Sequence, residues 1–306
     1  MTGTAAASAI RFLAQDDPLF PKSLLVLRDP PKALYALGDV ALLGRRLVAI
    51  VGSRTPTTYG SRVAYRAAQA ATQAGLVVVS GMARGLDTKA HRGALDAGGK
   101  TIAVLGSGVD VPYPRSNRDL YADVLAHGLL LSEQEPGTSP KPGSFPKRNR
   151  LIAGLARCLL VVEGRIKGGT RNTSRLMMEM GKLVLAVPGR IEDEVAAGPN
   201  LLLAEGATIY RGPDDLLRPF GVHWDSVVRG EREAAAAEIG DLFSDQTELL
   251  RAEARVFDLL GAEPLHVDAI AQRTRLDAGT LLAALSSLEL KGLAVQLPGK
   301  HFSLAA

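Results

Sequence analysis

From Leu47 onward the chain alternates short runs rich in Val, Leu and Ile with stretches whose apolar residues recur near every 3.6 positions. The runs are LVAIV (47–51), LVVVS (76–80), TIAVL (101–105), LLLS (129–132), CLLVVE (158–163), LVLAVP (183–188) and ATIY (207–210). Helical spacing fills the gaps, as in SRVAYRAAQAATQAG (61–75) and DTKAHRGALDAGG (87–99). Strands that are apolar on both faces and joined by helices belong to a parallel sheet covered on both sides. The expected fold class is α/β, a doubly wound Rossmann-like parallel sheet with a small C-terminal winged-helix domain. Gly75, Gly98, Gly128 and Gly181 stand where helices should end in left-handed caps.

Four segments are expected. Residues 1–46, with turn signals at Asp29-Pro30-Pro31 and Gly38-Asp39, form an N-terminal extension packed on the core, and residues 47–218 form the sheet domain. Residues 219–246, rich in Glu and Ala, read as a linker. In residues 247–306 three helices (248–260, 266–273, 278–291) precede two short strands (293–297, 301–304) joined by Pro-Gly-Lys, the order of a winged helix.

Charge separates these parts. The net of +4 conceals 28 basic and 19 acidic residues in 1–218 against 8 and 13 in 219–306, so an anionic ligand should prefer the first segment. The lone cysteine, Cys158, lies in an apolar strand, which excludes an internal disulfide and favours a reducing compartment. No apolar stretch approaches the ~20 residues a bilayer requires, so a cytoplasmic protein without membrane contact is expected.

Ligands of open parallel sheets bind beyond the carboxyl ends of the strands. There the chain places Gly52-Ser53-Arg54, Gly81-Met82-Ala83-Arg84-Gly85, Gly106-Ser107-Gly108 and Lys167-Gly168-Gly169-Thr170. Glycines admit close backbone approach, and amides, hydroxyls and cations meet anionic oxygens, so the set reads as a phosphate site. Neither a Gly-x-Gly-x-x-Gly fingerprint after the first strand nor a P-loop is present, and no cofactor is expected.

The segment KPGSFPKRNR (141–150) carries Lys141, Lys147, Arg148 and Arg150 without an acid, together with Phe145 and Asn149. Cations interleaved with a flat ring suit a single nucleic-acid strand. Phe145 can equally be a staple packed at the start of a helix beginning at Lys147. Arg165, Lys167, Arg171 and Arg175 form a second acid-free patch on the next strand–helix loop. The five histidines have no metal-ligand spacing, and His91 reads as a donor supporting the Gly81–Gly85 turn. Glu133, Glu135, Glu163 and Asp110 follow strands, where they can order basic groups as easily as act as acids. No nucleophile–base or paired-carboxylate arrangement stands out, so the chain does not read as an enzyme.

Val48–Arg54, Ser80–Asp87 with Ala90-His91, Ile102–Gly108 with Tyr113-Pro114, Phe145–Leu155, Ala186–Gly189, Gly198–Leu201 and Glu205–Ala207 together resemble the DNA-processing protein A (DprA/Smf) family. The resemblance covers about residues 18–217, with a looser match of 248–304 to the family's C-terminal winged helix. It implies a binder of single-stranded DNA that protects incoming strands and loads the RecA recombinase during natural transformation, acting as a homodimer through its Rossmann-like domains. It also implies a DNA pocket involving Ser53, Arg54, Lys141, Phe145, Arg148, Arg150 and Lys167–Thr170. With the loop residues read above, the candidate contacts are Gly52, Ser53, Arg54, Gly81, Arg84, Gly85, Lys141, Phe145, Lys147, Arg148, Asn149, Arg150, Lys167, Gly168, Gly169, Thr170 and Arg171. In this scheme Arg54 and the loops fix phosphates, Lys141, Arg148 and Arg150 track the backbone, and Phe145 stacks on or wedges beside a base. At the last loop the family's commoner Ser-Gly-Ser-Leu-Ile-Thr-Ala is replaced by Lys167-Gly168-Gly169-Thr170-Arg171-Asn172-Thr173-Ser174, which adds cations.

Two rival readings have specific weaknesses. Gly168-Gly169-Thr170 is similar to the Pro-Gly-Gly-x-Gly-Thr-x-x-Glu of nucleotide phosphoribohydrolases, but Thr173 stands where that motif has its carboxylate. A duplex-reading winged helix would want cations on its last helix, where this chain offers Asp277, Glu289 and one Lys291. A structural or protein-binding role for that domain follows.

Overall fold

The computed structural model describes residues 9–261 and 263–305, and for 231–248, which lie within a helix, the backbone alone. Two compact units divide near residues 227 and 228.

In the first unit β1 (Arg11–Ala14) and β2 (Ala33–Gly38) precede the alternating region. That region runs β3 (Leu47–Val51), α1 (Thr58–Gln73), β4 (Val77–Ser80), α2 (Leu86–Asp96), β5 (Thr101–Leu105), α3 (Arg118–His127) and β6 (Leu129–Ser132). It continues through α4 (Ser144–Leu155), β7 (Cys158–Val161), α5 (Gly169–Glu179), β8 (Leu183–Ala186), α6 (Ala197–Ala204), β9 (Thr208–Ile209) and α7 (Pro213–Leu217). All seven expected strands form. They make one sheet in the order β1-β2-β6-β5-β4-β3-β7-β8-β9, parallel from β6 to β9. The chain runs outward from β3 through β4, then returns to the other side of β3 with β7. The crevice between the carboxyl ends of β3 and β7 is therefore the topological switch point.

Side-chain parity explains the layers. Leu47, Ala49 and Val51 join one core with Leu151, Ile152 and Met177 of α4 and α5, whereas Val48 and Ile50 join another with Ala64, Ala68 and Ala90 of α1 and α2. Each large side chain buried this way contributes about 1.5–3 kcal/mol. The small residues matter on the second face: a Cβ at Gly93 of α2 would lie 2.3 Å from the Tyr65 carbonyl of α1. Cys158 is buried in that core, where burial pushes its thiol up to about 12, consistent with packing rather than chemistry.

Three expectations are corrected. Part of the segment 1–46 is in the sheet rather than on it: β2 pairs antiparallel with β6, and β1 with β2. Gly75, Gly98 and Gly181 take positive φ as expected, but Gly128 does not, with φ −152 and ψ −142. Gly128 is required because a Cβ there would stand 2.2 Å from the Thr101 carbonyl. Finally, the linker and the first winged-helix helix are one continuous helix, α8 (Trp224–Leu259).

In the second unit the end of α8 packs with β10 (Leu265–His266), α9 (Val267–Thr274), α10 (Ala278–Leu290), β11 (Ala294–Leu297) and β12 (His301–Leu304). The strands form a small sheet in the order β10-β12-β11, and Val256, Ile270, Leu285, Leu288 and Phe302 fill the core. This is the winged-helix arrangement anticipated from the sequence. No described helix is long and apolar enough to cross a membrane.

Candidate single-strand DNA interface

At the switch point the β3 loop, the β7 loop and the first turns of α4 and α5 enclose a groove of about 460 Å³. Gly52, Ser53, Arg54, Arg148, Asn149, Lys167, Gly168, Gly169 and Thr170 line it, so nine of the seventeen candidates converge here. A smaller recess of about 60 Å³ adjoins it, shares Arg54 and Arg148, and adds Gly81, Arg84, Tyr113 and Phe145.

The floor is a buried ionic layer. Arg148, only 6% exposed, donates through Nη1 to the carbonyls of Gly81 and Val104 and through Nε to Asn149 Oδ1. Buried Asp87 on α2 is its charge partner and accepts from the Ala83 amide. Burial raises the Asp87 carboxyl, with the Arg148 charge opposing that shift. Burial likewise pulls the Arg148 guanidinium down to about 10, a value at which it stays charged at neutral pH. His91 lies deeper and fully buried. Thr101 Oγ1 donates to the Val78 carbonyl, so it accepts from His91 Nδ1 at 2.7 Å. That arrangement places a proton on Nδ1, and burial together with the Arg148 charge lowers the pKa to about 3, which keeps the ring neutral at neutral pH. His91 therefore ties α2 to Thr101 of β5, whose hydroxyl in turn bonds β4, rather than supporting the glycine turn.

The glycines serve this floor more than an incoming ligand. A Cβ at Gly81 would lie 2.6 Å from the Arg148 guanidinium, and one at Gly106 would lie 3.0 Å from the Phe145 ring. Gly52 and Gly85 are likewise crowded, by Leu86 and by the Ser53 carbonyl. Glu163, at the end of β7, is also structural: it accepts from the Thr57 amide at 2.9 Å and from the Thr57 hydroxyl, fixing the start of α1.

The rim is built differently. Arg54 is exposed, and its guanidinium carbon sits 5.6 Å from the centre of the Phe145 ring. Tyr113 approaches the same ring at 5.4 Å with a 31° tilt. Such a cation–aromatic layer holds the ring in place with its neighbours open to solvent. Opposite, exposed Lys167 stands before the first amides of α5, where a helix N-terminus favours negative charge. Asn149 braces that end by donating to the Gly169 carbonyl at 3.1 Å. Helix α4 starts at Ser144, earlier than the expected Lys147, and this places Phe145 at the mouth rather than in the core.

The remaining candidates lie elsewhere, and two assigned roles change. Arg150 does not track a strand: it is buried, holds Glu133 at 2.7 and 2.8 Å and lies 3.5 Å from Asp29. Arg148 lines the groove, but with its donors turned to backbone carbonyls. Lys147 is exposed 3.8 Å from Glu133, and Lys141 is exposed outside both cavities. Gly85 begins α2, and Arg171 pairs with Glu205 at 3.0 Å. Tyr113, which belongs to a Tyr-Pro motif, and Asp87 beneath the groove join the site although no residue pattern assigns either a role.

Residues 11–221 match the family described as DNA recombination-mediator protein A, and residues 244–300 match the DprA winged helix domain. The chain belongs to this family. Protein Smf of Synechocystis sp. is 34% identical, with 95% of this chain and 79% of that protein covered. The crystal structure of DNA processing protein A from Streptococcus pneumoniae is 39% identical with a TM-score of 0.67, over 71% of this chain and 76% of that one. DNA processing protein A from Helicobacter pylori, described for its single-stranded DNA binding mode, is 32% identical with a TM-score of 0.62, over 70% and 98%. Membership gives the glycine loops, the aromatic mouth and the winged helix a common context.

Proposed function

We propose that this chain binds single-stranded DNA in the groove at the β3–β7 switch point, with little dependence on base sequence. The observation that carries the proposal is the layer of exposed Arg54, half-buried Phe145 and exposed Tyr113 beside a groove also lined by Lys167 and the start of α5. Cations meet phosphates, and a partly exposed ring held in place by its neighbours can stack on any base. The single-strand binding mode described for the H. pylori relative supports the same reading. We further propose, from the family's role, that the bound strand is protected and passed to the RecA recombinase during DNA uptake and recombination. The functional unit is a homodimer through the sheet unit, in the cytoplasm.

Fluorescence anisotropy with labelled oligothymidylate tests the binding step. Phe145→Ala should weaken binding by about 1–3 kcal/mol, the value of one aromatic–base stack, without lowering the melting temperature. Wild-type affinity should fall with salt, with a slope of about −0.7 for each phosphate contact. Unchanged affinity in a folded Phe145→Ala variant removes the stacking role. RecA assembly on an oligonucleotide, followed with and without this protein, tests the transfer step.

A further inference from the structure

From the edge of the recess outward, the loop from β5 to α3 carries Tyr113-Pro114-Arg115-Ser116-Asn117-Arg118, of which the proposed groove uses Tyr113 alone. Tyr113 is 42% exposed although its ring packs on Phe145. Pro114 lines the recess together with Arg84 of the β4 loop. Asn117 is buried and donates through Nδ2 to the Met82 carbonyl at 2.9 Å, the Ala83 carbonyl at 3.3 Å and the Thr88 hydroxyl at 2.9 Å. These bonds fasten the turn bearing Arg115 onto the loop bearing Arg84. They also hold Met82 at its unusual φ of +61. The two loops thus form one surface continuous with the Phe145 mouth.

Charge on that surface is left open. Arg84, Arg115 and Arg118 are exposed, and none makes an ion pair among the described residues, Asp119 beside Arg118 included. Arg92 on the adjoining α2 is, by contrast, neutralised by Asp123. Exposed arginines without ion-pair partners on two loops fastened together, next to an exposed aromatic ring, favour a polyanion carrying flat bases.

We infer that the β5–α3 loop is a second section of the single-strand path, with Tyr113 stacking on a base and Arg84, Arg115 and Arg118 holding phosphates beyond the Phe145 mouth. This rests on the reading of the groove as a single-strand site and extends it across the carboxyl ends of β7, β3, β4 and β5. Three strand spacings carry the path about 14 Å along the sheet edge. A short strand fills the groove alone, whereas a longer one also engages the loop.

The test compares an oligothymidylate of about 5 nucleotides with one of about 16, using wild type, Arg54→Ala, Arg115→Ala/Arg118→Ala, Tyr113→Ala and Tyr113→Phe. Arg54→Ala should weaken both oligonucleotides. The double arginine variant should leave the short one unchanged, weaken the long one and flatten its salt slope by roughly 1.4, two phosphate contacts' worth. Tyr113→Ala also removes a neighbour of Phe145, so it should weaken the short oligonucleotide modestly and cost about tenfold more on the long one, and Tyr113→Phe should restore both. If the loop variants match wild type on the long oligonucleotide while Arg54→Ala still weakens binding, the second section is overturned and the groove stands. If wild type binds neither oligonucleotide, or Arg54→Ala has no effect, the groove reading fails and the extension with it. Equal losses on duplex of the same length overturn the single-strand assignment.

Discussion

The floor and the rim of the groove are made of the same residue types put to opposite uses. Arg148 on the floor is buried, bonded to two backbone carbonyls and balanced by Asp87, whereas Arg54 on the rim is exposed and bonded to no carboxylate among the described residues. A buried cation whose donors are satisfied fixes the shape of the loops around it. An exposed cation over an aromatic ring keeps its field available to a ligand. Counting basic residues therefore overstates the binding surface, and burial decides which of them can act.

The largest expected effect probes the floor. Arg148→Ala leaves the buried carbonyls of Gly81 and Val104 without their donor and should lower stability by about 2–4 kcal/mol, measured by urea denaturation. Arg54→Ala should leave the denaturation midpoint where it is. Equal stability of the two variants would erase the distinction between floor and rim.

The pH dependence of stability sharpens the same distinction. His91 titrates near 3 in the folded protein, below its ordinary value of 6.5, so the folded state resists a proton that the unfolded chain accepts. Its contribution is complete above pH 6.5 and is lost as pH falls from there toward 3, at about 1.4 kcal/mol per pH unit. His91→Leu should flatten that part of a urea-midpoint profile. An unchanged slope would place the acid sensitivity elsewhere.

A smaller effect should appear at the margin of the rim. Arg165 beside the groove is paired with Glu194 at 2.8 Å, both side chains being largely exposed. Glu194→Gln should free that cation and tighten single-strand binding about twofold, in keeping with the ~0.2–1 kcal/mol of an exposed pair, with the gain vanishing at high salt. Weaker binding would mean that Arg165 must be held by Glu194 to act.

The smallest effect is expected from the second unit. Asp277 there caps α10 by accepting from the amides of Gly279 and Thr280, Glu289 accepts from the Gln296 amide, and Lys291 is paired with Glu253. The one cation of the last helix is thus neutralised, and Leu290 is 90% exposed. Residues 1–227 alone should keep single-strand affinity within about twofold of the full chain by anisotropy, because residues 228–306 carry 8 basic against 12 acidic residues and a net negative module adds little to phosphate binding. A large loss would assign DNA contacts to the winged helix.

Much of this was legible from residue order. The parallel sheet followed from apolar runs separated by helical spacing, and the loops at its carboxyl edge followed from topology. The inward turn of Arg148 also left a trace: it precedes Leu151, Ile152 and Leu155 by three, four and seven positions, on the apolar stripe of α4. Arg150 left no such trace, because its partners Glu133 and Asp29 come from the β6 loop and from the N-terminal segment. Nor does spacing reveal that Asn117 ties its own turn to Met82 and Ala83 of the β4 loop, 35 and 34 residues earlier.

The sequence by itself determined the fold class, the edge of the sheet where ligands belong and the excess of positive charge in the first unit, because periodicity, glycine placement and composition are local properties. Only the tertiary structure decided which cations are buried and which face solvent, and which aromatic rings meet at the mouth. A side chain's role here depends on partners far away in the chain, and on whether water or protein surrounds its charge.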